Sequence, residues 1–301
     1  MFRLEDILRR AAEAGASDVH LSAGSEPRMR VNGILVPLPG EKLTAGDTNS
    51  IVYSIMNESQ HNSFEEQGAY NLAYTIEGQS RYRVHVYKRL GTAALVFRLI
   101  PAQIPGLQDL GLPGSVQELC GLSRGLVLVT GSMGSGRSTT LASLVKHVGH
   151  SRSAHIITLE EPVEFLYPAG LSLVDQRDVG TDSLGYARAL KAALREDPDV
   201  ILVGDLPDPE TVLGAIMAAE AGCLVLSALH VAEPAGAVEY LAGLFPVYGQ
   251  MEIRRRLAGV LEGILAQRLL PGAEGQGRRA EFELLRMDAI VRRRIQEGQP
   301  L

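Results

Sequence analysis

Gly131-Ser-Met-Gly-Ser-Gly-Arg-Ser-Thr-Thr140 is the stretch on which the fold turns. It follows the apolar run Gly125-Leu-Val-Leu-Val-Thr130 and precedes a segment rich in Leu and Ala, so the order is strand, glycine-rich turn, helix. Glycines let backbone N–H groups turn inward around an anion with no Cβ in the way. The helix that follows points the positive end of its dipole at the same place. The spacing Gly131-x4-Gly136-x-Ser138 fits the phosphate-loop template at every position but one, because Arg137 stands where the template has Lys. Gly131, Ser132, Gly134, Ser135, Gly136, Arg137, Ser138 and Thr139 are therefore the candidate nucleotide-binding residues. Ser138 is also the candidate Mg2+ ligand, since such loops place this hydroxyl on the metal. Thr139 equally suits a helix surface.

Three further apolar runs end in residues that carry chemistry. His155-Ile-Ile-Thr-Leu-Glu160-Glu161-Pro162-Val-Glu164 brings Glu160 and Glu164 to the end of one predicted strand, within reach of Mg2+ or water. Asp199-Val-Ile-Leu-Val-Gly204-Asp205 is a buried strand ending in an acid, the Walker B arrangement, in which the carboxylate serves the metal or orients the attacking water. Leu224-Val-Leu-Ser-Ala-Leu-His230 ends in a histidine. Asp205, Glu160, His230 and Glu164 are the catalytic candidates, and Asp205 is a metal candidate beside Ser138. A solvated acidic loop, a helix N-cap at Asp205 and a structural histidine are the alternative readings of these positions.

Around these motifs the chain divides in two. Residues 3–14 have the apolar spacing of an amphipathic helix, and alternating runs near 17–22, 28–36, 69–76, 81–87 and 93–100 predict strands, with a hairpin turn at Asn32-Gly33 and a helix over 46–58. Residues 1–100 therefore read as a small α+β domain. Residues 101–114, with three prolines and three glycines, read as a linker. From 115 to 301 strands alternate with helices, which predicts an α/β domain on a parallel sheet. Strands are expected near 125–130, 154–159, 171–175, 199–204 and 223–228, helices near 138–148, 183–195, 209–220, 234–243 and 248–267, then a hairpin of 266–270 with 279–285 and a helix over 287–297.

The bulk numbers narrow the function classes. The net charge of −6 gives no general pull toward nucleic acid, and no tract combines basic and aromatic residues. The two cysteines, Cys120 and Cys223, form no C-x-x-C motif, as expected of a reduced cytoplasmic protein. The charged start MFRLEDILRRAAEAG does not suit a secretory signal, and no window approaches 18 uninterrupted apolar residues, so no membrane span is expected.

With the four motif segments in order, the chain resembles the type IV pilus retraction ATPases of the secretion ATPase superfamily. The resemblance is carried by SDVHLSAGSEPRMRVNG, RYRVHVYKRLGTAALVFRLIP, the phosphate loop, ITLEEPVEF, ALREDPDVILVGD and AAEAGCLVLSALH, and so covers nearly the whole length. It implies a PAS-like N-terminal domain, a RecA-like P-loop NTPase domain, and ATP with Mg2+ bound between the two domains near a neighbouring subunit. It also implies a homo-hexamer on an inner-membrane pilus platform protein, located in the cytoplasm at the pilus base. By matching positions, Arg81, Arg83 and Arg98 would direct charge toward the phosphates, as guanidinium groups do well; each also suits a solvated strand position.

The departures from the family's pattern gather at the chemistry. Arg137 replaces Lys, Asp205 replaces a Walker B Glu, Pro207 stands for Arg, Cys223 for the first His of the His box, Val231 for Thr, and Ser132-Met133 for Pro-Thr. Arg is longer and planar where Lys is a flexible point charge. Asp is a methylene shorter than Glu, and a misplacement of about 1 Å costs on the order of 100-fold in rate. Two functions therefore stand open: a motor ATPase, slowed by these changes, or an accessory paralogue that binds nucleotide beside a catalytically intact partner ring.

Overall fold

The computed structural model describes residues 3–77, 80–271 and 278–301. The chain packs as two units, Met1–Gln103 with Glu161–Phe165, and Ile104–Glu160 with Leu166–Leu301.

The first unit runs α1 (Leu4–Glu13), β1 (Asp18–Ser22), β2 (Arg28–Val31), β3 (Ile34–Pro37), α2 (Ala45–Ile55), α3 (Glu58–Gln67), β4 (Ala69–Ile76), β5 (Ser80–Arg89) and β6 (Thr92–Ile100). Its strands form one antiparallel sheet in the order β3-β2-β1-β6-β5-β4. Asn32 and Gly33 both have positive φ between Val31 and Ile34, the two-residue turn that Asn-Gly predicts. The alternation of these strands places Val19, Leu21, Val84, Val86, Leu95 and Phe97 in one core with Leu8 of α1 and Val52 of α2. The helix expected over 46–58 is α2, which ends at Ile55, and a second helix, not expected, follows it directly. Asn57 accepts a hydrogen bond from the Gln60 N–H while Gln60 accepts one from the Asn57 N–H, a capping box that starts α3 afresh.

The second unit runs α4 (Gly114–Cys120), β7 (Gly125–Thr130), α5 (Arg137–Ser151), β8 (His155–Glu160), β9 (Leu173–Asp178), α6 (Tyr186–Ala193), β10 (Val200–Val203), α7 (Pro209–Glu220), β11 (Leu224–Leu229), α8 (Pro234–Gly243), α9 (Val247–Val260), β12 (Leu261–Pro271), β13 (Arg278–Arg286) and α10 (Ala289–Glu297). The sheet order is β13-β12-β7-β11-β10-β8-β9, parallel from β12 to β9, with β13 antiparallel at the edge. Both faces are covered. Leu126, Leu128, Ile157, Leu159, Ile201 and Val203 face a core shared with α6, α7, α8 and α9. Val127, Val129, Ile156, Val200 and Leu202 face a second core with α4 and α5. That burial on two sides is why these strands read as unbroken apolar runs.

The expected helix over 248–267 is shorter. It ends at Val260, and Leu261 turns extended to begin a strand that pairs with β7. Gly263 marks the change: a Cβ there would lie 2.8 Å from Leu119 Cδ1 of α4, so the strand is threaded against a helix by its lack of a side chain. The strand expected at 171–175 falls at Leu173–Asp178.

At the far end of this sheet from the phosphate loop, His155 Nε2 is 2.9 Å from Asp175 Oδ2, and its Nδ1 is 3.0 Å from the Glu196 carbonyl. Burial disfavours the imidazolium, but Asp175 and the carbonyls of Asp197 and Glu196 outweigh it, and the His155 pKa lies above its usual 6.5. A raised folded-state pKa contributes stability in full below about pH 6.5 and loses it as pH climbs through the folded value. The melting-temperature advantage of wild type over His155→Gln is accordingly larger near pH 5.5 than near pH 8.5, by circular dichroism at roughly those two values.

Candidate nucleotide site

The parallel order places the tips of β7, β11, β10 and β8 side by side. Each carries one of the motifs at its C-terminal end: the loop 131–136 after β7, His230 after β11, Gly204-Asp205 after β10, and Glu160 ending β8. Ligands in open parallel sheets bind at such carboxyl edges.

The loop is shaped by two glycines. Gly136 holds φ of 93° as the N-cap of α5. A Cβ on Gly131 would clash with Ser135 Oγ and come within 2.5 Å of the Gln267 carbonyl oxygen. No side chain caps α5, so its first N–H groups are left for an acceptor from outside the helix. Ser132, Gly134 and Ser138 are exposed, Thr139 is half-buried, and Ser135 is buried. The Thr139 carbonyl accepts a hydrogen bond from Ser143 Oγ.

Arg137 does not extend from this loop. Its Nη1 donates to the Gly131 carbonyl at 2.7 Å and the Leu229 carbonyl at 2.6 Å. Its Nη2 lies 2.7 Å from His230 Nδ1 and 3.0 Å from Nε2, donating to the ring nitrogen that lacks a proton. Burial lowers the Arg137 pKa, and the Asp205 charge pulls the other way, which places that carboxylate within electrostatic range of the guanidinium. Arg137 thus ties the start of the loop to the tip of β11 and the His box.

The acids differ in setting. Asp205 Oδ1 accepts from the Leu206 N–H at 2.9 Å. Glu160 is half-buried, and Tyr167 is held well above its usual phenol pKa by burial first and the Glu160 charge second. Glu164 belongs to the first unit, where Arg83 Nη1 holds its Oε1 at 2.9 Å. In that unit Arg81 donates to the Val163 carbonyl at 2.6 Å and to Thr75 Oγ1 at 2.6 Å, and Arg98 Nε donates to Asp18 Oδ1 at 2.8 Å. Desolvation raises the Asp18 pKa, but the Ser17 and Arg98 hydrogen bonds prevail and leave it below its usual value.

The residues present fit a nucleotide and its metal. The uncapped helix start and the Cβ-free cradle suit phosphate oxygens, and the exposed Ser138 in the first turn of α5 suits a Mg2+ that draws its remaining ligands from phosphate and water. Among the described residues no cluster of three or more His, Cys, Asp or Glu could hold a metal ion.

Residues 2–296 match the family described as Type II/IV secretion system protein. The chain belongs to this family. Within the family, the type IV pilus retraction ATPase PilT of Pseudomonas aeruginosa is 37% identical over 296 residues, covering 98% of this chain and 86% of the relative. The type IV pilus ATPase PilU of the same organism is 35% identical, covering 98% and 77%. The solved structure of the pilus retraction motor PilT with bound ADP superposes with a TM-score of 0.90 at 41% identity, covering 99% of this chain and 87% of that one. The fold is therefore that of a two-domain secretion ATPase with a RecA-like P-loop domain.

Sequence reading missed Gln267, which enters the loop from β12: its Nε2 donates to the Ser135 carbonyl at 2.5 Å. It falls where the expected helix over 248–267 overlaps the expected hairpin strand over 266–270. Gly259 and Gly263 inside that apolar run were the available signal, since interior glycines weaken a helix.

Arg137→Met removes three anchors at once. Hydrogen exchange at the amides of residues 132–136 should speed up by about tenfold or more, while the amides of β7 and β10 keep their protection. Unchanged exchange in the loop contradicts the tie.

Proposed function

We propose that this chain is an ATP-binding subunit of a type IV pilus motor, which hydrolyses ATP slowly to drive pilus retraction and twitching motility. The phosphate loop at the tip of β7, in a chain similar to PilT over nearly its full length, is the observation that carries this reading. Residues 1–100 form the PAS-like domain, 101–114 the linker and 115–301 the motor domain. The subunit works as a homo-hexamer on the cytoplasmic side of the inner membrane, against a platform protein of the pilus base. None of its described helices is long and apolar enough to cross a membrane, which fits a peripheral location.

Each residue has a role in this reading. The loop N–H groups and the N-terminus of α5 bind the phosphates. Ser138 and Asp205 hold Mg2+, which when bound neutralises charge on the phosphoryl oxygens. Glu160 orients the attacking water, with Glu164 as a second carboxylate, and His230 reports the state of the site through Arg137. Arg81, Arg83 and Arg98 bring positive charge to the phosphates in the assembled ring, after exchanging their present partners.

The binding of Arg137 to two carbonyls and His230 favours a second reading: a subunit that binds nucleotide but leaves cleavage to a catalytically intact paralogue. With the guanidinium engaged inside the protein, less charge is free for the phosphoryl oxygens.

Steady-state Mg·ATP turnover separates the two. Slow wild-type turnover, abolished by Ser138→Ala and Glu160→Gln and raised roughly 10- to 100-fold in Arg137→Lys with Asp205→Glu, is the expected result. No turnover in wild type, with activity only in that double variant, overturns the motor reading in favour of the accessory one.

A further inference from the structure

β12 lies against β7 with Ala266 opposite Thr130, so the next residue, Gln267, arrives beneath the phosphate loop. Gln267 is 4% exposed and meets the loop at three points. Its main-chain carbonyl oxygen is 2.5 Å from where a Gly131 Cβ would stand, its Nε2 is 3.0 Å from where a Gly136 Cβ would stand, and that same Nε2 donates to the Ser135 carbonyl at 2.5 Å. The Gln267 main chain thus leaves no room for a Cβ at Gly131, and its side-chain amide lies close against Gly136, from a position 132 residues beyond Ser135 in sequence. The polar atoms beneath the loop are sparsely paired: Thr130 Oγ1, Ser135 Oγ and Gln267 Oε1 are buried and have no hydrogen-bond partner among the described residues.

The consequence follows from peptide geometry. The Ser135–Gly136 peptide is planar and trans, so its C=O and N–H point in opposite directions. Holding the Ser135 carbonyl down on Gln267 turns the Gly136 N–H away from β12, toward the mouth of the loop. A side chain that cannot donate would leave the carbonyl buried without a partner, and the peptide would gain by rotating.

We infer that Gln267 is a positioning residue for the phosphate loop, fixing the Ser135–Gly136 peptide so that the Gly136 N–H is presented to a nucleotide phosphate. This rests on the nucleotide-binding reading above. Gln267 touches no nucleotide; it acts only through the loop. Met has similar length and no donor, so Gln267→Met deletes the hydrogen bond while keeping most of the packing.

The test compares a ligand that has phosphates with one that lacks them. Binding of Mg·ADP is measured by calorimetry and of adenosine by ligand-observed NMR, on wild type and on Gln267→Met, well below both melting temperatures. The expected result is an ADP affinity lower by about tenfold or more in the variant, with adenosine affinity within about twofold of wild type. Equal ADP affinity in the two proteins, or equal losses for ADP and adenosine, overturns the assignment. Should Gln267→Met fail to fold by circular dichroism, Gln267→Asn, which shortens the reach by one methylene, carries the same comparison. If wild type binds no ADP at all, the nucleotide reading fails and this inference with it. If wild type binds ADP and the variant binds it equally, only the positioning role falls.

Discussion

One guanidinium joins the separate strand tips of the second unit. Arg137 donates to a carbonyl at the start of the phosphate loop, to a carbonyl at the end of β11, and to the ring of His230, while Asp205 at the end of β10 acts on it through space. Elements distant in sequence therefore share one charged hub. Hydrogen bonds from a charged donor to buried carbonyls are each worth more than neutral ones, so the loop's geometry and the position of His230 are set together. The residue that departs from the phosphate-loop template is also the one that organises the site in this structure.

The arrangement changes what the charge can do. A Lys at this position has one ammonium on a flexible stem, free to follow a phosphate. Arg spreads its charge over a planar fork suited to several acceptors at once, and here its two terminal nitrogens donate to backbone oxygens and an imidazole. Binding a nucleotide and activating it for cleavage then make different demands. The loop N–H groups, the uncapped start of α5 and Ser138 serve binding with Arg137 where it is. Stabilising charge that develops on the terminal phosphoryl group requires the guanidinium to direct N–H groups at that group rather than at the protein. The shorter Asp205 works in the same direction.

Most of the architecture was legible in the sequence because its signals are local. The Asn32-Gly33 turn, the buried runs of the parallel strands and the glycine spacing after β7 each record a constraint satisfied within a few residues. The sheet edge that collects Arg137, Asp205, Glu160 and His230 was legible for the same reason, since each follows its own strand. What escaped depends on partners far away in sequence. Residues 261–265 read as the end of a helix because Leu and Ile suit either state, and only pairing with β7 makes them a strand. Gln267 reads locally as one residue of a hairpin, and only the pairing of β12 with β7 brings it to the loop. The inward turn of Arg137 was equally hidden, because two of its acceptors are backbone carbonyls, which every residue type provides.

The coupling between Arg137 and His230 tests the hub most directly. A double-mutant cycle on unfolding free energy, using Arg137→Met, His230→Ala and both together at neutral pH, isolates the interaction of the two side chains from their separate losses. A coupling energy of roughly 0.5–2 kcal/mol in favour of the wild-type pair is the predicted result. Strictly additive losses, with coupling indistinguishable from zero, would mean that the guanidinium does not rest on the His box, and the account of a shared hub would be wrong.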